Sequence, residues 1–503
     1  MTARAAAALA WLLGGALAAA PAAAASPPIE QHGYTRLSTP AEITADLEAL
    51  AISPRARVEL LGASVQARPL AALVLEPLLA DPEHPPLTVM IVGSQHGAAE
   101  AAGTETLIAL AHELAAEPNG ERRRTIRYVL VPDANPDGRA LRRRANANGV
   151  NLNTDYVLLS QPESRALLGA VQRFRPDVIL DVHESAVLKR ESLAREGYLT
   201  DFDAQFDVAN NPALSPDVAS FAAQTLLPAI IARVDAAGLP AQRYLAEIRS
   251  THQALTNGGL TLRNLRNRAA IGGAASFLLE TRLDPQHGSY PTWRNIAARV
   301  ARQRLCITAF LAVIREHAAD IRQRTRVARS RTPRGRLLLD AHYAADDAHP
   351  RVRIGLRRLA DGSAVALDFP DHRHIDGTVR LTRPTAYVVT DHIGVIRAML
   401  DRQGIASRPF AASERATVLA LELGPRRAGA PTVRRTERRA LTVPVGSLFV
   451  DLAQPEGLAL PLLLDPRSTS SVFREPGFGS LLTPDREFFV YAAFRTNTGD
   501  PSR

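Results

Sequence analysis

The chain has 503 residues, of which 46% are hydrophobic and 22% are charged. This balance excludes a wholly disordered protein, and the length predicts two domains with a large core. The formal net charge of +9 is spread along the chain without an aromatic-rich basic stripe, which argues against nucleic-acid binding. Cys306 is the only cysteine, so an intrachain disulfide and a cysteine-based zinc site are excluded.

Residues 1–25 have the features of a secretory signal peptide. Arg4 precedes an alanine- and leucine-rich segment, and a small-residue pattern ends at Ala25. A retained membrane helix is the alternative, but Pro21 interrupts the apolar segment. No later stretch is long and apolar enough to cross a bilayer. We therefore expect a secreted or periplasmic protein that starts at Ser26 and has no membrane span after signal removal.

The first elements of the mature chain follow ordinary local signals. Thr39 is a suitable N-cap for a helix over Pro40–Leu50. Two alternating apolar runs over Arg57–Leu75 predict a hairpin. A short β-branched run, Leu87–Val92, predicts a buried strand of a parallel sheet. Helical spacing of apolar residues predicts a helix over Gly103–Ala116.

The turn between this strand and helix carries His96 and Glu100. In open α/β folds, ligands bind where strands end and helices begin. A histidine and a carboxylate at such a turn are suitable zinc ligands. A surface turn with two incidental polar residues explains this stretch equally well.

A polar segment follows the next predicted strand, Ile126–Val131. Asn135–Gly138 is a strong turn signal, and Arg142–Tyr156 is rich in arginine and asparagine. Amide and guanidinium groups of this segment can donate hydrogen bonds to a substrate carbonyl or carboxylate. Taken by itself, an ordinary polar loop is the simpler interpretation.

A second histidine lies at the end of another predicted buried strand. A helix over Glu163–Phe174 leads into the apolar run Asp177–Val182, which His183 follows directly. Because parallel strands end at the same edge of a sheet, His183 and His96 are expected to lie close together. This coincidence is more specific than either histidine alone.

A third strand end carries a carboxylate. After a predicted helix over Ser215–Ala237 and a loop that contains Arg263, the apolar run Ala274–Leu279 delivers Glu280. Desolvation at a buried strand end raises the pKa of a carboxyl group toward that of a general base. Pairing of Glu280 with the nearby Arg282 is the alternative. A predicted helix over residues 291–317 completes this part.

The composition changes after residue 320. An arginine-rich segment, 321–336, predicts a linker between a first domain, 26–320, and a second, 337–503. Short alternating runs in the second domain predict β-strands, with one helix near Val395–Gln403. Asp371–His374 carries two histidines that can bind metal, but a solvated loop is the simpler interpretation.

Five ordered motifs together resemble a known family. They are GSQHGAAEAAGTE, NPDG, RANANGVNLNTD, PDVILDVHES and SFLLETR. From about Ile43 to His317 the chain resembles the zinc carboxypeptidases of the carboxypeptidase A type, in their secreted bacterial branch. The resemblance implies an α/β fold with a mixed, mostly parallel central sheet flanked by helices. The small β-rich C-terminal domain lies outside this resemblance.

The resemblance also implies roles for individual residues. His96, a nearby glutamate and His183 would bind zinc, and Arg144 and Asn153 would contact the substrate. Zinc would supply an activated water, and Glu280 would take a proton from it and pass the proton to the leaving amine. Arg144 would stabilise the oxyanion.

The chain departs from the family pattern at two positions. Glu100 comes one residue later than the family's glutamate, which we interpret as an inserted alanine because the following residues return to the family register. Thr154 stands where the family has the arginine that grips the substrate's C-terminal carboxylate. Arg263 is the candidate replacement.

Three functions therefore compete. The first is a secreted zinc metallocarboxypeptidase that acts on peptides or cell-wall peptides, which the export signal favours. A zinc amidase or deacylase on the same scaffold is favoured by Thr154. A non-catalytic peptide-binding relative is favoured by Ala99, which stands where the family has its glutamate ligand.

Overall fold

The structure is a computed structural model. It describes residues 26–53, 55–79, 85–117, 120–186, 192–283, 295–330, 335–427 and 429–494. The predicted signal peptide lies outside these residues.

The described residues form strands and helices throughout their length. The strands are β1 (Ala56–Ala63), β2 (Pro69–Leu75), β3 (Leu87–Gly93), β4 (Ile126–Val131), β5 (Val178–Ala186), β6 (Tyr198–Thr200), β7 (Ala204–Val208), β8 (Ala241–Arg243), β9 (Ala275–Leu283), β10 (Arg336–Ala344), β11 (Arg351–Arg358), β12 (Ala364–Pro370), β13 (His374–Thr382), β14 (Ala386–Val389), β15 (Arg408–Pro409), β16 (Glu414–Arg427), β17 (Ala430–Val443), β18 (Leu448–Asp451) and β19 (Val490–Phe494). The α-helices are α1 (Pro28–Gln31), α2 (Pro40–Leu50), α3 (Ala102–Ala116), α4 (Pro136–Ala140), α5 (Pro162–Phe174), α6 (Pro216–Phe221), α7 (Leu227–Ala236), α8 (Leu265–Ala270), α9 (Ile296–Glu316), α10 (Ala318–Ser330), α11 (Ile393–Arg402), α12 (Leu460–Leu464) and α13 (Pro476–Gly479).

A mixed eight-stranded sheet forms the centre of the first part, in the order β1-β2-β4-β3-β5-β9-β7-β8. Its middle strands β4, β3, β5 and β9 run parallel to one another. The hairpin β1–β2 and the pairing of β7 with β9 are antiparallel. The predicted fold class, a mixed and mostly parallel sheet with helices around it, is confirmed. The parallel strands all end at the edge that carries the candidate site.

Helices cover both faces of this sheet. One core packs side chains of α2, α3, α7 and α9 against the sheet, and a second core on the opposite face includes residues of α5 and α8. Every residue of β3 is buried, which explains its uninterrupted apolar sequence. One helical stretch of the described chain, Pro216–Ala236, has the length and composition of a membrane span. Its Leu226, Ile230 and Val234 belong to the first core.

A local signal predicts the start of α2 correctly, but the start of α4 was predicted only as a turn. The Thr39 side chain accepts from the Glu42 backbone N–H, and the Glu42 side chain accepts from Thr39 in return, which completes a capping box. The predicted turn at Asn135–Gly138 is instead the first turn of α4. Asn135 caps this helix by accepting from the Gly138 N–H. The same residue types favour a turn and a helix start, so the sequence alone did not separate them.

The arginine-rich segment predicted as a linker, 321–336, begins within a helix. Helix α10 continues to Ser330, and two of its side chains contact Asp177, the residue before β5. The Thr325 hydroxyl donates to Asp177 Oδ1 at 2.7 Å, and Arg329 donates to the same oxygen at 2.9 Å. These contacts hold the segment against the first part of the chain.

The C-terminal part, which here means residues 335–494, is rich in β-structure, as predicted. It contains a six-stranded sheet, β15-β18-β14-β19-β16-β17, and the antiparallel pair β10–β13. A third sheet joins β12 and β11 to β6, which belongs to the first part. One core also combines Leu262 of the first part with residues such as Leu463. The two parts thus share both a sheet and a core.

Candidate metal centre

The candidate centre lies where the parallel strands β3, β5 and β9 end. His96 follows β3, and His183 lies near the end of β5, the neighbouring strand. On the other side of β5, His183 is paired in register with Glu280 of β9. The structure therefore brings the three predicted strand-end residues together at one edge of the sheet.

Two histidines and one carboxylate form a close, buried group. His96 Nδ1 lies 2.6 Å from Glu100 Oε1, and His183 Nδ1 lies 2.9 Å from Glu100 Oε2. The potential ligand atoms of these three residues all lie within 4.8 Å of one another. The three residues are at most 4% exposed. Among the described residues they are the one group of this kind that could hold a metal ion.

A tight turn accommodates the extra residue between His96 and Glu100. Residues Gly97–Glu100 form a single 3₁₀ turn, which brings the carboxylate back toward His96. Gly97 has a φ of +53°, and a Cβ there would lie 2.6 Å from the backbone carbonyl carbon of Gly138, so only glycine fits. Glu100 thus lies between the two histidines, and its role as a metal ligand stays a prediction.

Each histidine has a second polar contact on its other ring nitrogen. His183 Nε2 lies 3.0 Å from Asp181 Oδ1, and His96 Nε2 lies 3.0 Å from Asn151 Oδ1. Gln95 donates to Asp181 Oδ1 at 2.7 Å and accepts from the Tyr156 hydroxyl. A histidine that binds zinc through one nitrogen needs an acceptor for its other N–H. The donor set and its supporting contacts therefore fit zinc.

Sequence reasoning missed Asp181 and Asn151. The signal for Asp181 was its spacing from His183, because residues i and i+2 of a strand project from the same face. Asn151 lies in the polar segment that was assigned to the substrate.

Electrostatics in the group favour metal-binding forms of two residues. Burial lowers the pKa of His96, although Glu100 opposes this shift. Burial disfavours the charge of Glu100, but His96 and Arg144 outweigh burial and hold the pKa of Glu100 well below its ordinary value. Burial also disfavours a charged His183, yet Asp181 and Glu100 raise its pKa. Zinc binds the neutral form of a histidine, so zinc and a proton would compete for His183.

The two predicted substrate-contacting residues both reach the group. The guanidinium of Arg144 pairs with Glu100 and lies 3.0 Å from His96 Nε2, and its side chain is 48% exposed. Asn153 Nδ2 lies 3.5 Å from His183 Nε2. An exposed cation beside the group can meet developing negative charge on a substrate oxygen.

Glu280 lies beside the group and lines an adjacent cleft. Gln205 and Tyr244 line the same cleft. Desolvation raises the pKa of Glu280 to about 7; His183 opposes this rise, and the negative charge of Glu100 supports it. A carboxylate whose pKa lies near neutrality is suited to accept and return a proton.

This raised pKa predicts a pH dependence of stability for the metal-free protein. Glu280 has an ordinary pKa of 4.5 when unfolded and about 7 when folded, so the folded state binds the extra proton between these values. Stability therefore falls as the pH rises through this window. Replacing Glu280 by glutamine should stabilise the metal-free protein at pH 8, by at most about 3 kcal/mol, and should have little effect at pH 4. Urea unfolding of both forms at the two pH values measures the difference, and an equal effect at both pH values would contradict it.

The side chains of the two residues at which specificity was expected to differ have other partners in the described structure. Thr154 is exposed, and its hydroxyl donates to the Asn151 carbonyl at 2.9 Å. The backbone carbonyl of Arg263 accepts from the Tyr156 N–H, which places the Arg263 loop near Asn153. The Arg263 guanidinium, however, pairs with Glu475 of the C-terminal part. A clamp role for Arg263 would require release of this ion pair, and it stays a prediction.

The fold and the site together indicate a kind of site. A buried His-Glu-His group offers the ligand types of a catalytic zinc site, and it lies at the strand ends where α/β folds bind their ligands. Residues 43–177 match the family model for zinc carboxypeptidases. This match supports a zinc carboxypeptidase family for this part of the chain.

Known carboxypeptidases are similar to the chain over part of its length. Carboxypeptidase 2 of Trichophyton rubrum is 25% identical over 206 residues, which are 40% of this chain and 38% of that protein. The chain spans less than half the length of the curated relatives that it matches.

Solved structures of metallo-carboxypeptidases are also similar to part of the chain. That from Pseudomonas aeruginosa has a TM-score of 0.41 and 21% identity, covering 57% of this chain and 71% of that one. That from Burkholderia cenocepacia has a TM-score of 0.40 and 20% identity, covering 56% and 71%.

Proposed function

We propose that the protein is a secreted zinc-dependent metallocarboxypeptidase that removes C-terminal residues from peptides, including cell-wall peptides. The observation that carries this proposal is the buried group of His96, Glu100 and His183, with Glu280 beside it on the next strand. The match of residues 43–177 to the zinc carboxypeptidase family model supports the same reaction class.

Each residue of the site would have a separate role in peptide hydrolysis. His96, Glu100 and His183 would hold zinc, which supplies a polarised water and a Lewis acid for the scissile carbonyl. Glu280 would take the proton of the attacking water and return it to the leaving amine. Arg144 would donate hydrogen bonds to the carbonyl oxygen as it gains negative charge. Asn153, next to His183, would orient the substrate.

An amidase or deacylase is the second candidate. Thr154 carries no charge, and Arg263 is engaged by Glu475. A free carboxylate is best held by the planar fork of an arginine, whereas an amidase needs no such group. A non-catalytic binding protein is the third candidate, and it requires that zinc or turnover be absent.

One assay of the purified mature protein separates these candidates. Zinc content is measured first, and turnover is then measured on N-blocked dipeptides that end in Phe, Leu, Lys or Glu. Each dipeptide is offered as the free acid and as the C-terminal amide. We expect stoichiometric zinc and release of the C-terminal residue from free acids only. Equal cleavage of acids and amides would replace the carboxypeptidase with the amidase, and zinc without turnover would favour the binding protein.

Export is a separate part of the proposal. We expect the signal to be removed after Ala25, because the preceding alanines form a small-residue cleavage pattern. N-terminal sequencing of exported protein should therefore begin at Ser26. Recovery of the intact leader in the membrane fraction would contradict a periplasmic or secreted enzyme.

A further inference from the structure

A loop next to Glu280 receives much of its support from the C-terminal part. This loop, residues 244–264, connects β8 to α8 and has no helix or regular strand of its own. Tyr244, its first residue, lines the cleft that also contains Glu280. At its other end, the Leu265 N–H donates to Asn153 Oδ1 at 3.3 Å, next to the candidate centre. The conformation of the loop therefore sets one wall of the cleft.

The middle of the loop joins the C-terminal part through its backbone. The Leu255 N–H donates to the Pro370 carbonyl at 2.9 Å, and the Leu255 carbonyl accepts from the His372 N–H at 3.0 Å. The Leu255 side chain is fully buried in a core with Leu356 and Phe369. Strand-like pairing and a buried side chain thus anchor this point of the loop.

Tyr343 of β10 contacts the loop at Gly258. Its hydroxyl donates to the Gly258 carbonyl at 2.6 Å and accepts from Asn210 Nδ2 at 2.9 Å. Asn210 Nδ2 also lies 2.6 Å from the Gly258 carbonyl. Tyr343 therefore ties the loop to the residues that follow β7, the strand next to β9.

Two further contacts follow near the end of the loop. The Leu262 N–H donates to the Ser470 hydroxyl at 3.0 Å, and Ser470 is 2% exposed. Arg263 pairs with Glu475. The C-terminal part thus contacts the loop at residues 255, 258, 262 and 263, and residues 244–248 of the same loop line the cleft.

We propose that the C-terminal part positions the 244–264 loop for substrate binding, with Tyr343 as a positioning residue. This inference rests on the proposed function, because the loop forms a wall of the proposed substrate cleft. Tyr343 touches neither the candidate centre nor Glu280 in the described contacts. It acts through Gly258 and Asn210, so its loss should affect substrate binding and leave zinc binding unchanged.

The test compares full-length wild type with Tyr343→Phe, which deletes only the hydroxyl. Tyr491→Phe is the matched control, because that hydroxyl donates to Glu487 at 2.7 Å, away from the loop. Ser470→Ala independently removes a second contact of the loop, the hydroxyl that accepts from the Leu262 N–H. Hydrogen exchange of residues 255–262, zinc content, and KM and kcat on the best N-blocked dipeptide are measured for each protein.

We expect exchange in residues 255–262 to be about tenfold faster in Tyr343→Phe, the scale of losing one or two hydrogen bonds. KM should rise about fivefold, kcat should stay within about twofold, and zinc content should not change. Ser470→Ala should act in the same direction, and Tyr491→Phe should match wild type.

Three outcomes would overturn the inference. They are unchanged exchange in both loop variants, faster exchange with unchanged KM, and loss of zinc in Tyr343→Phe. Failure of the proposed function looks different, because wild type itself would then lack turnover. In that case the Kd of the N-blocked dipeptide is measured for each variant in place of KM. The exchange measurement still tests whether Tyr343 holds the loop.

Discussion

Replacement of Glu280 by glutamine should lower kcat by about 10²- to 10⁴-fold, the contribution of a positioned general base. Glutamine keeps the size and the hydrogen-bonding oxygen of the side chain but cannot take a proton. Glu280 is paired in register with His183 and has a pKa of about 7, so its position and its basicity both suit this role. Single-turnover kinetics on an N-blocked dipeptide, with zinc measured in the same sample, checks the prediction.

Glu316→Gln is the control, because Glu316 is an exposed carboxylate at the end of α9 that pairs with Arg233 and lines neither the metal group nor this cleft. It should keep zinc and turnover within about threefold of wild type, as expected for a surface substitution outside the reacting groups. If Glu280→Gln loses zinc, Glu280 is a ligand and the assignment of the base is wrong. If it keeps full turnover, another group takes the proton.

The strand-end residues were predictable because parallel strands impose a common direction. His96, His183 and Glu280 each follow an apolar run, and the sheet order places their strands side by side. The predicted strand bounds agree closely for β3 and β4, where β-branched residues are continuous. Strands β5 and β9 run four residues further than predicted, through His183 and Glu280, because sheet pairing continues into polar residues.

Contacts between distant segments were not predictable in this way. The ion pair of Arg263 with Glu475 joins residues 212 positions apart. The sequence suggested a charged side chain near Asn153 but contained no signal for its partner. The same limit applies to Tyr343 and Gly258, since nothing local marks a hydroxyl in β10 as a support for a loop beside Glu280. Patterns of periodicity report which face is buried, and they do not report what covers it.

The position of Glu100 bears on the two alternatives that the sequence left open, retention or loss of the carboxylate ligand. Residues three apart and residues four apart both lie on the same face of a helical turn, so one inserted residue leaves Glu100 within reach of His96. The 3₁₀ turn at Gly97–Glu100 begins directly after His96, and Glu100 Oε1 lies 2.6 Å from His96 Nδ1. Its positive φ at Gly97 is available because glycine occupies that position. The structure therefore favours retention of the carboxylate over its loss.

Replacement of Glu100 by alanine should abolish stoichiometric zinc binding. Its two oxygens face His96 Nδ1 and His183 Nδ1, so removal of the carboxylate takes away one of three proposed ligands and a negative charge that lies between the two rings. Loss of a supporting contact outside the ligands typically weakens metal affinity by about 10- to 100-fold, and loss of a ligand should exceed this range. Competition with a chelator of known affinity measures the change.

Glu105→Gln provides the control, since Glu105 lies one turn further along, on α3, and is equally buried. Its carboxylate accepts from the Ser38 N–H at 3.0 Å and pairs with Arg139, away from both histidines. This variant should unfold at a lower urea concentration, because a buried charge pair is broken, yet it should bind zinc as wild type does. Opposite behaviour of the two variants, in metal affinity and in stability, assigns Glu100 to the metal and Glu105 to the fold. Equal zinc retention in both would instead require a different third ligand and would move the protein toward the non-catalytic binding function.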